Sequence, residues 1–202
     1  MICIVDYGVG NLFSLVSSIS SLGFEVRVSS SKEDIEQASK IILPGVGAFE
    51  DAINKLKINN LDQIIIEQAK KGVPLLGICL GMQLLFERSF EFGCHQGLGL
   101  IKGDIVPIQD YVKNVKIPHI GWNKLKIIKN SPLFKYIKTG DYVYFVHSYF
   151  ASTEEKYISS LTDYEIELTA SCEYKNVFGC QFHPEKSGEV GLKILKAFLE
   201  MW

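Results

Sequence analysis

An α/β domain with an open, mostly parallel sheet flanked by helices, extended by β-rich elements in its C-terminal half, is the fold this sequence predicts. Three observations predict it. Through roughly the first ninety residues, short apolar runs of strand length alternate with segments whose apolar residues recur at helical spacing, the order that builds a parallel sheet covered on both faces. Beyond Gly93 the pattern changes to short strand-like runs separated by turn residues. The chain has 202 residues, 47% of them hydrophobic and 22% charged, which suits one domain over residues 1–202 with a sizeable core. No repeat, low-complexity tract or linker divides it.

Residues 2–5 form a short apolar strand, broken by Asp6-Tyr7-Gly8-Val9-Gly10-Asn11. Leu12, Leu15, Val16, Ile19 and Leu22 then recur at helical spacing, and Gly23 ends that helix. Gly8-Val9-Gly10 lacks the third glycine of a dinucleotide fingerprint and reads as a turn needing positive φ. Residues 24–28 alternate as a second strand, and Ser31-Lys32-Glu33-Asp34 is a capping-box pattern opening a short helix. Residues 40–43 form a third strand that runs into Pro44-Gly45-Val46-Gly47; residues 48–56 and 61–71 are helical. The next strand, 74–78, leads through Cys79 into a helix-forming run, 82–87. In the second half, strands are expected at 98–101, 105–108, 125–128, 142–146, 157–161, 168–172 and 177–182, with a helical turn at 131–134. Residues 187–202 close the chain as an amphipathic helix with Leu192, Leu195, Phe198, Leu199 and Trp202 on its apolar side. Ligands of parallel sheets bind beyond the carboxyl ends of the strands. Asp6, Gly45, Gly47 and Cys79 all follow strand ends, so they are expected along one edge.

A net charge of −2 leaves no electrostatic footprint for nucleic acid or an anionic membrane. The five cysteines, Cys3, Cys79, Cys94, Cys172 and Cys180, show no Cys-x-x-Cys spacing. That argues against a zinc site or a disulfide framework and for a reducing, cytoplasmic setting. The N-terminal strand has no basic region and is a poor signal peptide, and no apolar run reaches membrane-spanning length. No metal or organic cofactor is implied.

The chemistry centres on Gly77-Ile78-Cys79-Leu80-Gly81. A strand, a tight turn and a helix follow one another here with a thiol at the apex, the cysteine version of a Gly-x-Ser-x-Gly nucleophile elbow. Small flanking residues let the backbone turn sharply, and a helix N-terminus favours thiolate over thiol. A cysteine in an apolar run is ordinarily a small core residue; the two glycines and the strand-to-helix switch set this one apart. A cysteine nucleophile needs a base, and the base an orienting carboxylate. Of the four histidines, His95, His119, His147 and His183, only His183 has a carboxylate two residues away, Glu185, across a stiffening proline. The other three read as structural. On these grounds the chain is a cysteine hydrolase or acyl transferase on an α/β sheet.

Taken together, Pro44-Gly45-Val46-Gly47, Gly77-Ile78-Cys79-Leu80-Gly81-Met82-Gln83 and Phe182-His183-Pro184-Glu185-Lys186-Ser187 resemble the class I, triad-type glutamine amidotransferases. With residues 6–11 and Pro118-His119-Ile120-Gly121-Trp122-Asn123, the chain looks within that family like the glutaminase subunits of imidazole glycerol phosphate synthase, over essentially its whole length. The resemblance implies a flavodoxin-like sheet and a catalytic Cys79, His183 and Glu185. It implies oxyanion donors at Leu80 and the Gly45–Gly47 turn. It also implies glutamine contacts from Gln83, Gly47, Glu91 and the backbone of Ser148 and Tyr149. The family often carries two adjacent glutamates where this chain has Ser89-Phe90-Glu91, and Glu91 also reads as an ordinary solvated carboxylate. The implied partner is a (β/α)8-barrel cyclase or synthase that receives the ammonia, with Asn11, Trp122, Tyr144 and Lys186 as candidates for the docking face. On the sequence alone, core packing is the better reading of Tyr144. Weak glutaminase activity of the isolated chain, raised by that partner and its nucleotide, is expected. Three alternatives stay open at this stage: a glutaminase serving a sugar-amidating synthase of surface polysaccharide biosynthesis, to which residues 91–99 have some likeness; a non-catalytic binding subunit; and a stand-alone cysteine peptidase or γ-glutamyl hydrolase.

Overall fold

The computed structural model describes residues 1–201. The chain runs β1 (Ile2–Val5), α1 (Leu12–Ser21), β2 (Val26–Ser29), α2 (Lys32–Glu36), β3 (Lys40–Leu43), α3 (Phe49–Ile58), α4 (Leu61–Lys70), β4 (Leu75–Ile78), α5 (Leu80–Leu84) and β5 (Phe86–Ser89). It continues through β6 (His95–Gln96), β7 (Ile101–Pro107), β8 (His119–Lys124), β9 (Lys126–Ile127), β10 (Tyr142–His147), β11 (Tyr149–Ser152), β12 (Ile158–Tyr164), β13 (Ile166–Tyr174), β14 (Val177–Cys180) and α6 (Gly188–Leu199). No described helix is long and apolar enough to cross a membrane.

The main sheet has the order β2-β1-β3-β4-β14-β13-β12-β9. Its β2, β1, β3, β4 and β14 are mutually parallel; β13, β12 and β9 extend it antiparallel. β1, β3, β4 and β14 are buried along their whole length, as central strands covered on both faces must be. Alternate side chains feed two cores. Ile41, Leu43 and Leu75 join α2, α3, α4 and the small β5–β7 sheet on one face. Ile42, Leu76, Ile78 and Phe178 join α1 and α6 on the other. Two smaller sheets, β10-β8 and β11-β7-β5-β6, flank the carboxyl ends of the parallel strands.

Several sequence expectations are corrected by long-range pairing. The helix expected at 82–87 stops at Leu84, because Phe86–Ser89 pairs with β7 and β6 as a strand; tertiary pairing overrides local helix propensity. The strands expected at 98–101 and 105–108 are replaced by a single β7, whose register shifts opposite Phe86 and Arg88 at Gly103. β8 and β11 were not expected as strands, and each depends on a distant partner, β10 and β7. Ser31 caps α2 by accepting the Asp34 N–H at 3.2 Å. The reciprocal half of the capping box is absent, since the Asp34 carboxylate binds Arg27 and Ser29 instead. Tyr144 is half-buried rather than core. Trp202, expected on the apolar side of the last helix, lies outside the described residues.

Candidate active site

Parallel pairing of β4 with β14, in register Ile78 with Cys180, brings the two chemical motifs to one strand end. Cys79 follows β4 at φ 55°, ψ −112°. That backbone is strained for a residue with a Cβ, and the surroundings hold it. The Cys79 N–H donates to the Cys180 carbonyl at 2.8 Å. A Cβ on Gly81 would lie 1.8 Å from the Leu43 carbonyl oxygen, and one on Gly77 would lie 2.7 Å from the Gly81 carbonyl oxygen. Only glycine at both positions lets the elbow fold this tightly. Leu80 begins α5, so its N–H is one of the helix's unpaired first-turn donors.

Three residues beyond Cys180, His183 is anchored by its N–H donating to the Tyr144 carbonyl at 2.9 Å. Its Nδ1 lies 2.8 Å from Glu185 Oε1, with both side chains almost wholly buried. Ser187 Oγ donates to the His183 carbonyl at 2.6 Å and accepts the Tyr144 N–H at 2.9 Å, tying the loop to β10. Burial works against the imidazolium; the Cys79 sulfur and the Glu185 carboxylate outweigh it and push the His183 pKa up to about 9. His183 Nε2 makes no hydrogen bond within the protein, nor does Glu185 Oε2.

A cleft of about 550 Å³ opens over this group. Of the residues expected to bind glutamine, Gly47, Leu80, Gln83, Glu91, Ser148 and Tyr149 line it together with Cys79 and His183. Gly45 does not. It packs behind the elbow, where a Cβ would lie 2.7 Å from Tyr7 Oη and 2.9 Å from the Gly81 nitrogen. Glu91 is neither free nor simply solvated: its Oε2 accepts the Phe49 N–H at 2.5 Å, satisfying the first turn of α3. Asp6, expected near this edge, accepts the Gly8 N–H and is not in the lining.

Beside the cleft, Trp122 is 55% exposed and meets Tyr144 edge-on at 6.2 Å. Lys186 is exposed and has no ion-pair partner among the described residues. Asn11 donates to Ser14 Oγ at 2.9 Å and shares a small internal cavity with Glu185. All four interface candidates therefore lie around the His183–Ser187 loop.

Sequence reasoning missed several neighbours of the site. Gln181, fully buried, donates from Nε2 to Cys79 Sγ at 3.7 Å. It stands two residues before His183, the same spacing that singled out Glu185. Phe92, at φ 53° and 86% exposed, lines the cleft rim; nothing local in the sequence marks it. Of two histidines read as structural, His147 lines the cleft and His119 stands behind it: His119 Nδ1 lies 2.9 Å from His147 Nε2, and His147 Nδ1 lies 2.8 Å from the Tyr149 carbonyl. The carbonyl only accepts, so His147 carries its proton on Nδ1 and His119 donates from its own Nδ1. Asn123 Nδ2 then donates to His119 Nε2 at 3.2 Å.

A thiol on a strained strand-to-helix elbow, served by an imidazole and a carboxylate from the neighbouring strand, defines a triad-type cysteine enzyme that transfers or hydrolyses acyl groups. The family model described as glutamine amidotransferase class-I matches residues 3–202, and the chain belongs to that family. It is 51% identical over 200 residues to the imidazole glycerol phosphate synthase subunit HisH of Lactococcus lactis subsp. lactis (strain IL1403), covering 98% of each chain. It is 52% identical over 202 residues to the subunit of the same name from Caldanaerobacter subterraneus subsp. tengcongensis, covering 100% of this chain and 98% of the relative. Among solved structures, one described as PurLQS from Thermotoga maritima matches with a TM-score of 0.76 at 21% identity, covering 98% of this chain and 96% of that one. Another, described as a glutamine amidotransferase, matches with a TM-score of 0.77 at 16% identity, covering 99% and 98%. At these identities the structural matches speak for the fold.

Proposed function

We propose that this chain is the glutaminase subunit of imidazole glycerol phosphate synthase, a single amidotransferase domain over residues 1–202 that hydrolyses glutamine and passes ammonia to a synthase partner in histidine biosynthesis. The observation that carries the reading is identity of about half to subunits of that name along the full length, with Cys79, His183 and Glu185 assembled at the cleft.

In this reading the Cys79 thiolate attacks the side-chain amide carbon of glutamine. The carbonyl oxygen takes the negative charge and is met by the Leu80 N–H and a peptide N–H of the turn ending at Gly47. His183, charged at neutral pH by its Cys79 and Glu185 neighbours, gives its proton to the departing nitrogen, and ammonia leaves. The γ-glutamyl thioester remains on Cys79. His183, now neutral, takes a proton from water, whose oxygen adds to the thioester carbon; glutamate departs and the thiolate–imidazolium pair returns. Gln83, Glu91 and the Ser148–Tyr149 backbone hold the amino-acid end of the substrate.

The partner is a (β/α)8-barrel cyclase that docks over the cleft in the cytoplasm, meeting Trp122, Tyr144, Asn11 and Lys186. Exposed aromatic anchors suit such a face, and Lys186 pairs with an acidic group across it. The test is glutamate release by the purified chain, alone and with the cyclase subunit of the same cell and its nucleotide substrate. Weak basal release, strong stimulation and loss of both in Cys79→Ala is the expected result. Cys79 that is alkylated by a glutamine analogue but gains nothing from the cyclase would shift the assignment to a sugar-amidating partner.

A further inference from the structure

The Cys79 sulfur has two polar neighbours besides the catalytic imidazole: the Val146 carbonyl at 4.0 Å and the Gln181 side-chain amide at 3.7 Å. Only the second is a donor to sulfur. The direction of that amide is set by a chain of hydrogen bonds that begins at a group unable to reverse. The Tyr149 carbonyl accepts from Gln83 Nε2 at 3.3 Å, so Gln83 presents its NH2 end. The same Nε2 lies 3.0 Å from Gln181 Oε1, so Gln181 presents its oxygen to Gln83 and its NH2 to the sulfur. A flip of either amide would set two donors or two acceptors face to face.

We propose that Gln181 is a positioning residue for the glutaminase reaction: its amide, held by Gln83, donates a hydrogen bond to the Cys79 sulfur and stabilises it as the thiolate. A thiol is a weak acceptor and a thiolate a strong one, so this bond strengthens when the sulfur ionises. An amide this deeply buried is costly unless paired, and its oxygen and nitrogen are both committed, to Gln83 and to Cys79. The arrangement also links the substrate to the nucleophile. Gln83 lines the cleft, so a ligand drawing on its Oε1 tightens the same chain that ends at sulfur. The proposal rests on Cys79 being the nucleophile and goes beyond it in assigning Gln181 a task.

The test is the rate of Cys79 alkylation by iodoacetamide from pH 5.5 to 10, in the full chain and in Gln181→Met, which keeps the side-chain length without the donor. This readout needs no glutamine turnover, so it is independent of the partner and pathway assignment. The expected result is a rise of alkylation displaced to higher pH by about one unit in Gln181→Met, read as about tenfold slower reaction at a given pH on the rising limb of the profile. Gln83→Leu, which frees the amide to turn, gives a smaller displacement in the same direction. In complex with the partner, kcat falls while KM for glutamine is held in Gln181→Met. An unchanged alkylation profile in a folded Gln181→Met overturns the proposal, even if the wild-type complex is a full glutaminase. Should Gln181→Met fail to fold, the wild-type chain decides. The Gln181 side-chain amide resonances move with the same pH midpoint as the alkylation rate if the bond exists; resonances that stay put overturn it.

Discussion

His183 on one side of the cleft and His147 on the other, with His119 behind it, are almost equally buried, at 2%, 5% and 3% exposure, yet their surroundings shift their proton affinities in opposite directions. His183 faces the Cys79 sulfur and the Glu185 carboxylate, and its pKa is pushed up to about 9. No carboxylate or thiolate faces His119 or His147, and the charged His183 further disfavours a proton on His147. Burial pulls them down to about 4 and about 3, against a carbonyl bond to Tyr149 that slightly favours the His147 proton. Burial alone therefore does not set what an imidazole does; the charge of its nearest partner does.

Breaking that comparison most sharply means removing the carboxylate. Glu185→Gln gives His183 a neutral neighbour and also allows the wrong tautomer. Partner-stimulated glutamate release is expected to fall by about 10² to 10⁴-fold with the fold intact, measured beside a thermal melt. The second way is pH. His119 and His147 have folded values below the ordinary 6.5. Their contribution to stability is whole above about 6.5 and is lost as pH falls toward 4 and then 3, by on the order of 3 to 5 kcal/mol each. His183 has a folded value above 6.5, so its contribution is whole below about 6.5 and is lost as pH rises through about 9. Urea midpoints across pH 4 to 10 should therefore form a plateau near neutrality with a shoulder on each side. The acid shoulder is expected to shrink in His147→Asn and the alkaline one in His183→Asn.

Smaller effects sharpen the His119–His147 side. In His119→Phe the ring still stacks between Phe145 and Tyr164, which now sit at 4.8 and 4.1 Å from it, but His147 Nε2 loses its donor. A destabilisation of about 1–3 kcal/mol is expected by urea titration, with glutamine KM changed more than kcat because Tyr149 moves. Asn123→Ala removes the outermost donor, whose Nδ2 also serves the Asp163 carbonyl and whose Oδ1 accepts the Lys124 N–H. It is expected to cost about 1 kcal/mol and to leave basal glutaminase activity near wild type.

What could be read in advance follows from how local each feature is. β1, β3 and β4 appear in the sequence as unbroken apolar runs because both their faces are covered. The elbow at Cys79 and the His183–Glu185 pair were legible because each motif is contiguous: Gly-x-Cys-x-Gly encodes its own tight turn, and His-Pro-Glu its own hydrogen bond. β5, β8 and β11 were not, since their residues become strands only against β7 and β10. Gln181 was missed for the same reason. Its importance lies in a sulfur 102 positions earlier in the chain, a relation that no local pattern announces. Glu91 was found, but its hold on the start of α3 was invisible without the Phe49 amide beside it.

The glycines around the nucleophile divide the turn between β3 and α3 into two mechanical parts. At Gly45 the chain is wedged between Tyr7 and the elbow, and Gly81 in turn is pressed against Leu43. At Gly47, φ +96°, nothing lies within 4 Å of where a side chain would start. The turn is thus clamped at one end, where Gly45 meets the elbow, and open at the other, at Gly47. In the proposed mechanism, an oxyanion donor on this turn would then be adjustable separately from the Cys79 sulfur.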